Sequence, residues 1–269
     1  MSYRIALFSL LALLACKSPQ PTSQKDIPVN PAAEGFNLAG SDSMAIAIAD
    51  QAMEAMGGRK AWDETNVIGW SFFGRRDLLW DKQNNRVRIE LPSADLVLIC
   101  DLTTDTGKAY GSGEEITDTD RLASLMEDAR AIWINDSYWL VMPFKLKDSG
   151  VTLKHLRTDS LEAGMADVLE LTFSEVGITP DNKYEVWVDQ ETHLVCQWAY
   201  FRTYDDPKPS ITTPWDGYQT YGNILLGGGR GVSVKDGKEV KREMGNISIM
   251  DSVSDSQFLF PDLLFRSDE

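Results

Sequence analysis

The sequence predicts a mainly β protein of the α+β class, built on a curved and largely antiparallel sheet of roughly a dozen strands. Short runs of β-branched and aromatic residues recur from residue 67 onward, separated by turns rich in Asp, Asn and Gly. Because the connections are too short for crossover helices, neighbouring strands should pair as antiparallel hairpins. Two other stretches have helical spacing, one before the strands and one inserted among them.

The two predicted helices each begin at a residue that can cap them. The first covers residues 43–56, can be capped by Asp42 or Ser43, and is followed by a glycine pair. The second can be capped by Asp118 or Thr119. Its apolar face carries Leu122, Leu125, Met126, Ala129, Ile132 and Trp133. We expect both helices to lie with their apolar faces on the sheet.

The predicted strands are bounded by turn residues on both sides. Before the second helix they cover residues 67–73, 78–81, 86–91, 96–101 and 108–110. After it they cover residues 138–142, 151–157, 167–173, 184–189, 194–204, 219–226, 231–235 and 246–252. The glycine-rich run 227–231 lacks the Gly-Lys-Ser/Thr ending of a phosphate loop, so we expect a mobile hairpin loop or a bend in the sheet.

One predicted hairpin indicates that the sheet is covered on both faces. If residues 189 and 194 pair, Trp187 lies opposite Cys196, on a face shared with Trp198 and Tyr200. The opposite face then carries Val186, Val188, Val195, Ala199 and Phe201. Two apolar faces cannot both be left to water. A sheet curved around its own interior would cover them, with that interior filled by side chains, by a helix or by a ligand.

The N-terminus has the pattern of a secretory signal. Arg4 precedes an apolar run, residues 5–15, that is shorter than the roughly 20 residues needed to cross a bilayer. The run ends in Leu-Leu-Ala-Cys, at Cys16, which resembles the lipobox of bacterial lipoproteins. In that class the signal is cut before the cysteine and the cysteine is lipidated. The alternative is an ordinary signal peptide with an incidental cysteine.

Three segments follow from this pattern. Residues 1–15 are predicted to be the lipoprotein signal peptide. Residues 16–40 contain the lipidated Cys16 and a stretch rich in Pro, Ser, Gln and Asn, which predicts a flexible tether. Residues 41–269 contain no repeat and no break in composition, so we interpret them as one β domain.

The net charge bears on the possible partners, and the two remaining cysteines bear on disulfide formation. With 26 basic and 41 acidic residues the net charge is −15, which argues against nucleic acid as a partner. Cys100 and Cys196 could form a disulfide in an extracytoplasmic compartment, or both could be buried free thiols.

No catalytic or metal-binding pattern stands out. The two histidines, His155 and His193, have no ligand partner at close spacing, and there is no Gly-x-Ser-x-Gly nucleophile motif. Carboxylates are abundant, but the sequence singles out no pair suited to glycoside hydrolysis. We therefore expect no metal, no cofactor and no enzymatic activity.

Several segments together resemble the LolA/LolB-like superfamily of outer-membrane lipoprotein-sorting proteins, over about residues 43–262. They are residues 56–58 with Trp62, residues 138–150, residues 184–189 leading to 194–195, residues 215–218, and the closing residues 258–261.

The resemblance implies an unclosed half-barrel with the N-terminal and inserted helices as a lid over a hydrophobic cavity, which in the carriers receives acyl chains. The acceptor in such a system is itself a lipoprotein, so Cys16 places this chain on the acceptor-like side. The arginine that holds the carrier lid closed has no assigned counterpart here. The residue after the cysteine is Lys17 and not Asp. By resemblance to enterobacterial sorting, this favours location at the outer membrane.

The resulting expectation is a membrane-anchored lipoprotein at the periplasmic face of the outer membrane that binds a lipid, an acyl chain or a lipoprotein anchor. The aromatic and aliphatic residues expected to line its cavity are Trp70, Phe72, Trp139, Met142, Phe144, Trp187 and Trp198. One alternative is a structural or interaction lipoprotein with a filled core. A less favoured one is a hydrolase with two carboxylates about 5–10 Å apart.

Overall fold

The protein is built from three α-helices and fifteen strands in the part of the chain that the computed structural model describes, residues 30–162, 164–174, 181–235 and 237–261. The helices are α1 (Ser43–Ala55), α2 (Gly58–Glu64) and α3 (Thr119–Val141). The strands of the first half are β1 (Val67–Phe72), β2 (Arg76–Asp81), β3 (Arg86–Leu91), β4 (Leu96–Asp101), β5 (Thr106–Gly111) and β6 (Glu114–Glu115). Those of the second half are β7 (Val151–Leu161), β8 (Gly164–Phe173), β9 (Lys183–Asp189), β10 (Val195–Phe201), β11 (Ile211–Pro214), β12 (Asp216–Tyr221), β13 (Ile224–Lys235), β14 (Lys238–Glu243) and β15 (Gly245–Met250).

The strands form three open antiparallel sheets. The first has seven strands in the order β15-β1-β2-β3-β4-β5-β6, the second has five in the order β11-β10-β9-β8-β7, and the third has three in the order β12-β13-β14. Nearly all neighbours in a sheet are consecutive in the chain, as expected for hairpin connections. The predicted fold class is confirmed, a mainly β, unclosed half-barrel covered by helices.

The helices cover the inner faces of the two larger sheets. The first core cluster joins the seven-stranded sheet to α3 and has Trp70, Leu78 and Ile89 at its centre. The second joins the five-stranded sheet to α1. Trp139 near the end of α3 packs against both clusters, so α3 connects the two halves of the interior.

The expectation that both faces of the five-stranded sheet are covered holds, and the outer cover is provided by long charged side chains. Arg157 lies over the ring of Trp187, and Lys183 lies over that of Phe201. Both aromatic residues are buried. The stems of Arg and Lys shield apolar surface while their charged ends stay in water.

The inserted helix is longer than predicted, and the predicted strand at residues 138–142 is wrong. Its side chains continue the helical face instead, because Met126, Ala129, Leu140 and Val141 are buried on one side of α3. Asp136 and Ser137 are also buried on that side, and these polar residues interrupt the apolar pattern in the sequence. Packing against both sheets has overridden the strand propensity of this segment.

The predicted pairing of Asp189 with Leu194 is confirmed, with Asp189 N donating to Leu194 O at 2.9 Å, but the predicted register of β9 with β10 is wrong by one residue beyond Val195. Val195 pairs with Val188 but Gln197 pairs with Trp187, so Cys196 is the additional residue of a β-bulge. A one-residue slip moves every later side chain to the other face. Trp198 and Tyr200 therefore face the interior with Val186, Val188 and Val195. Trp187 lies outside with Ala199 and Phe201.

The glycine-rich run lies inside β13, where the strand changes register, rather than in a hairpin loop. A Cβ on Gly227 would lie 2.8 Å from Cδ1 of Trp215, and one on Gly228 would lie 2.9 Å from Cδ1 of Ile247. The glycines are needed because other side chains approach the strand closely.

The structure differs from two further predictions, for Trp62 and for the end of the tether. Trp62 lies within α2 rather than in a connection. Residues 30–42, most of which fall in the predicted tether, are held to the domain: Ala33 N donates to Lys147 O at 3.0 Å, and Asn37 N donates to Val151 O at 3.0 Å. The first part of the tether, residues 16–29, lies outside the described residues.

Candidate functional site

A cavity of about 600 Å³ lies between the C-terminal half of α3 and the inner face of the five-stranded sheet. The residues that α3 contributes to its wall are Trp133, Ile134, Asn135, Ser137, Tyr138 and Trp139. Those that the five-stranded sheet contributes are Val151, Phe173, Tyr184, Trp198, Tyr200 and Ile211. Sites for small molecules have volumes of about 300–1,000 Å³.

Eight of the wall residues are aromatic, and most of their rings contact one another. The ring centroid of Trp198 lies 4.7 Å from that of Trp139 and 5.3 Å from that of Tyr184. Tyr184 in turn lies 5.4 Å from Tyr138 and 5.1 Å from Phe173. Tilted and edge-to-face contacts at these distances are favourable. The rings therefore form a stiff and mostly apolar surface, of the kind that binds hydrophobic molecules.

The sheet side of the wall follows from strand alternation. Tyr184 of β9 pairs with Tyr200 of β10, and Tyr200 pairs with Ile211 of β11. Trp198, two residues before Tyr200, lies on the same face because side chains alternate along a strand. The bulge at Cys196 is what turns Trp198 and Tyr200 inward.

A buried ion pair fastens α3 to the seven-stranded sheet beside the cavity. Nη2 of Arg76, in β2, donates to Oδ1 of Asp136 at 2.9 Å, and Nε of Arg76 lies 2.8 Å from Oδ2 within the same ion pair. Asn135 also donates to Oδ1 at 2.8 Å. The Asp136 side chain is fully buried. Its desolvation raises the pKa of the carboxyl to about 6, in spite of the arginine.

A second arginine fastens the last turn of α3 from the other side. Arg230 of β13 is buried, and its guanidinium donates to the carbonyl oxygens of Gly227, at 3.0 Å, and of Gly229 and Trp139. The guanidinium carbon lies 3.6 Å from the ring centre of Trp215. Burial lowers the pKa of Arg230 to about 9. A cation is favourable at this end of a helix, where unpaired carbonyl groups collect.

Besides the side chains of Asn135, Ser137 and Asn182, the wall has two sets of polar groups. Lys145, Asp148 and Ser149 form a rim, the more exposed part, and Lys145 and Asp148 pair with each other there. Tyrosine hydroxyls lie deeper. Burial raises the pKa of Tyr184 to about 12 and the pKa of Tyr138 well above its ordinary value. These phenols are therefore neutral hydrogen-bonding groups at physiological pH.

Two of the seven residues expected to line the cavity lie in its wall, Trp139 and Trp198. They come from different elements and meet edge to face, 4.7 Å apart. Trp139 comes from the segment predicted as a strand, and it reaches the wall from a helix instead.

The other five lie outside the wall. Trp70 and Phe72 belong to the core between the seven-stranded sheet and α3. Met142 packs under α1, and Phe144 stacks on Trp62 with the ring centroids 4.6 Å apart. Trp187 faces outward, where its indole N–H donates to Oδ2 of Asp159 at 2.9 Å. They were misplaced because the sequence shows which residues are apolar but not which of several cores each one enters.

Six aromatic residues of the wall were not among those expected from the sequence. They are Trp80, Trp133, Tyr138, Phe173, Tyr184 and Tyr200. The sequence contains a partial signal for two of them. Tyr184 lies two residues before Val186, and Tyr200 lies two residues after Trp198, in two strands predicted to pair. Alternation therefore places each tyrosine on the same face as its neighbour two residues away. The contribution of Trp80 depends on how the two larger sheets are placed, which no local pattern contains.

Other reactive groups lie away from this site. His155 contacts Asp167 at 2.9 Å on the five-stranded sheet, and His193 lies in the turn before β10. Within the described ranges, no three His, Cys, Asp or Glu residues cluster as a metal site would require. Cys100 and Cys196 are both free thiols, and burial raises the pKa of each to about 11. They are therefore poor nucleophiles.

The proposed lipidation residue, Cys16, lies outside the described residues. Among the helices of the described part, none combines the length and apolar character needed to span a membrane.

Three solved bacterial structures are similar to this chain at low identity. A DUF1329 family protein from Desulfovibrio piger is 14% identical, with a TM-score of 0.44 over 80% of this chain and 96% of that one. A LolA superfamily protein from Nitrosomonas europaea is 11% identical, with a TM-score of 0.41 over 80% and 96%. A protein from Vibrio parahaemolyticus described as an outer membrane lipoprotein-sorting protein domain is 8% identical, with a TM-score of 0.38 over 78% and 97%.

No family model matches the chain, and a search of curated proteins finds no match. Two of the three similar structures carry the names of the superfamily that the sequence resembles. The chain is similar in fold to these proteins.

Proposed function

We propose that this protein is a non-enzymatic lipoprotein of the cell envelope that binds a hydrophobic ligand in the cavity beside α3. The ligand would be a lipid, an acyl chain or the anchor of another lipoprotein. The observation that carries the proposal is the cavity of about 600 Å³ with eight aromatic residues in its wall. Transfer of an apolar molecule from water to such a surface is favourable.

The proposed location rests on the N-terminal sequence. Lipidation of Cys16 would hold the protein at the outer membrane, on its periplasmic face. Residues 16–29 can span at most about 50 Å, since an extended chain covers about 3.3–3.6 Å per residue. The cavity would therefore stay close to the bilayer, where apolar molecules are concentrated.

The composition of the wall supports binding rather than catalysis. Among the wall residues that the structure describes, Asp148 is the one carboxylate, and it pairs with Lys145. Glycoside hydrolysis needs two carboxyl groups facing each other across a cleft. An open cavity of this size also argues against a structural lipoprotein with a filled core.

Gentle extraction followed by native mass spectrometry tests the proposal. We expect a fraction of the protein to carry an apolar molecule that denaturation releases. Four of the eight tryptophans line the cavity, so uptake of an apolar ligand by the emptied protein should also change the tryptophan fluorescence. Recovery of empty protein only, with no fluorescence response to lipids, would contradict the proposal.

A further inference from the structure

Resting on the proposed function, we infer that the ligand is an uncharged amphiphile that carries carbonyl oxygens, such as an ester or a ketone, and not an ionised fatty acid. Two independent features of the wall carry this inference: its charge balance and its unpaired hydrogen-bond donors.

The charge balance of the described wall disfavours an ionised head group inside the cavity. Among the described residues, the charged ones that border the cavity are Lys145 and Asp148, and they neutralise each other at the rim. An anionic ligand would have to break this pair or enter without a counter-charge. Burial of an unpaired carboxylate among aromatic rings is strongly unfavourable.

The buried cation behind Trp139 is already engaged. Arg230 lies beyond Trp139, with its guanidinium carbon 6.0 Å from the centre of that ring. It is 1% exposed, and it donates to three backbone carbonyls. A ligand carboxylate could reach it only by displacing Trp139 and those bonds.

The unpaired polar atoms of the wall are hydrogen-bond donors. Tyr138 Oη, Trp133 Nε1 and Trp198 Nε1 are buried and have no hydrogen-bond partner among the described residues. An indole N–H can only donate, and a phenol readily donates. Neighbouring side chains cover these atoms, so an oxygen acceptor on a bound molecule would pair with them after those side chains adjust.

Tyr138 is the most informative of the three. Two other indole N–H groups, those of Trp70 and Trp215, also lack partners and lie outside the wall. Tyr138 carries the one buried hydroxyl without a partner in the part of the chain that the structure describes. Its ring contacts both Tyr184 and Phe173, so the hydroxyl belongs to the aromatic wall itself.

The shared chemistry of candidate ligands is therefore a carbonyl group on an apolar body. Acylglycerol esters and quinones both have it. The two sources differ in shape, since an ester carries flexible chains and a quinone carries a flat ring.

A matched ligand series tests the inference on the protein emptied of ligand. Methyl laurate, laurate at pH 8 and dodecane share their alkyl chain but differ in carbonyl and charge, and a decyl-substituted benzoquinone represents the second source. Tryptophan quenching, or displacement of a fluorescent apolar probe, gives the affinities. We expect methyl laurate or the quinone to bind about tenfold more tightly than laurate and dodecane, as one good hydrogen bond allows. The tighter of the two identifies the source.

A pair of tyrosine variants localises the effect. Tyr138→Phe removes the hydroxyl and keeps the ring, so it should weaken binding of the carbonyl ligand about three- to tenfold and leave dodecane unchanged. Tyr204→Phe, at a side chain that is 55% exposed, is the matched control and should change neither.

The outcomes separate this inference from the proposed function. Laurate binding as tightly as methyl laurate, or more tightly, would overturn the inference and leave hydrophobic binding in place. An unchanged preference in Tyr138→Phe would overturn the role of the hydroxyl. Failure of every ligand to bind would overturn both.

Discussion

Arg76 and Asp136 form a two-pronged ion pair that joins β2 of the seven-stranded sheet to α3, with both nitrogen–oxygen distances below 3.0 Å. The carboxylate is fully buried, and the arginine side chain is 25% exposed. Asn135 and Ser137, the two neighbours of Asp136 in the chain, belong to the cavity wall. This contact therefore fixes the part of α3 that closes the cavity, at the cost of removing a carboxylate from water.

The stability of the protein should depend on pH through Asp136. Burial raises its pKa from 3.8 to about 6, so the folded state binds this proton more tightly than the unfolded state between those pH values. The free energy of unfolding of the wild type, minus that of Asp136→Asn, should fall as the pH rises through this window. The decrease should be on the order of 3 kcal/mol, with no further change above it.

Urea unfolding of both proteins at pH 4, 5, 6 and 7.5 measures this difference. The Asp136→Asn variant removes the titration of this group and keeps the shape of the side chain, so other titrating groups cancel. A difference that increases with pH would mean that attraction to Arg76 outweighs desolvation.

Arg230 should contribute strongly to stability although no carboxylate among the described residues forms an ion pair with it. The single ammonium nitrogen of a lysine cannot take the positions of both guanidinium nitrogens that donate to Gly227, Gly229 and Trp139, and each buried carbonyl left unpaired costs about 1–3 kcal/mol. We expect Arg230→Lys to lower the free energy of unfolding by about 2–4 kcal/mol. The control is Arg242→Lys, at an exposed position of β14. Equal stability of the two variants would show that the guanidinium bonds contribute little.

Gly107 should be required for the docking of α3 on the seven-stranded sheet. A Cβ there would lie 2.8 Å from the sulfur of Met126 and would collide with the carbonyl oxygen of Ile99. Gly107→Ala should therefore cost about 1–3 kcal/mol by overpacking. Gly111→Ala in the same strand is the matched control, because its Cβ would have its nearest contact at 3.6 Å, with Ile116. Thermal unfolding that ranks the two variants in the opposite order would contradict this packing.

Strand boundaries were predictable where turn residues mark them. Residues 86–91 and 96–101 form strands as predicted, because Asn85 and Asp95 adopt left-handed turn conformations, with φ of 50° and 49°. Asn and Asp tolerate that conformation better than most residues, so the local sequence determines where these strands begin.

The cavity wall was mostly not predictable, for two physical reasons. The face of Trp198 depends on one additional residue, Cys196, and a bulge has no reliable local signal. The extent of α3 depends on Asp136, whose burial is stabilised by Arg76, sixty residues away in the chain. Both features arise from tertiary contacts. A prediction from local periodicity therefore assigned these side chains to the wrong face or the wrong element.

Cys16 should determine where the protein is found. Cys16→Ser should abolish incorporation of labelled palmitate and release the protein from the membrane fraction, because the lipid would be its anchor. Cys196→Ser, at a half-buried free thiol, is the control and should leave both unchanged. Membrane retention of Cys16→Ser without labelling would contradict lipid anchoring and favour the reading of Cys16 as incidental.

The most direct test of cavity binding is the affinity for methyl laurate of a variant whose cavity is partly filled. Ser137 is a small, buried wall residue of α3, and Ser124 is an exposed serine on the same helix. Ser137→Phe should bind at least about tenfold more weakly than the wild type and stay folded, because the ring would occupy the ligand's space. Ser124→Phe should bind as the wild type does. Wild-type affinity in a folded Ser137→Phe protein would contradict binding in this cavity.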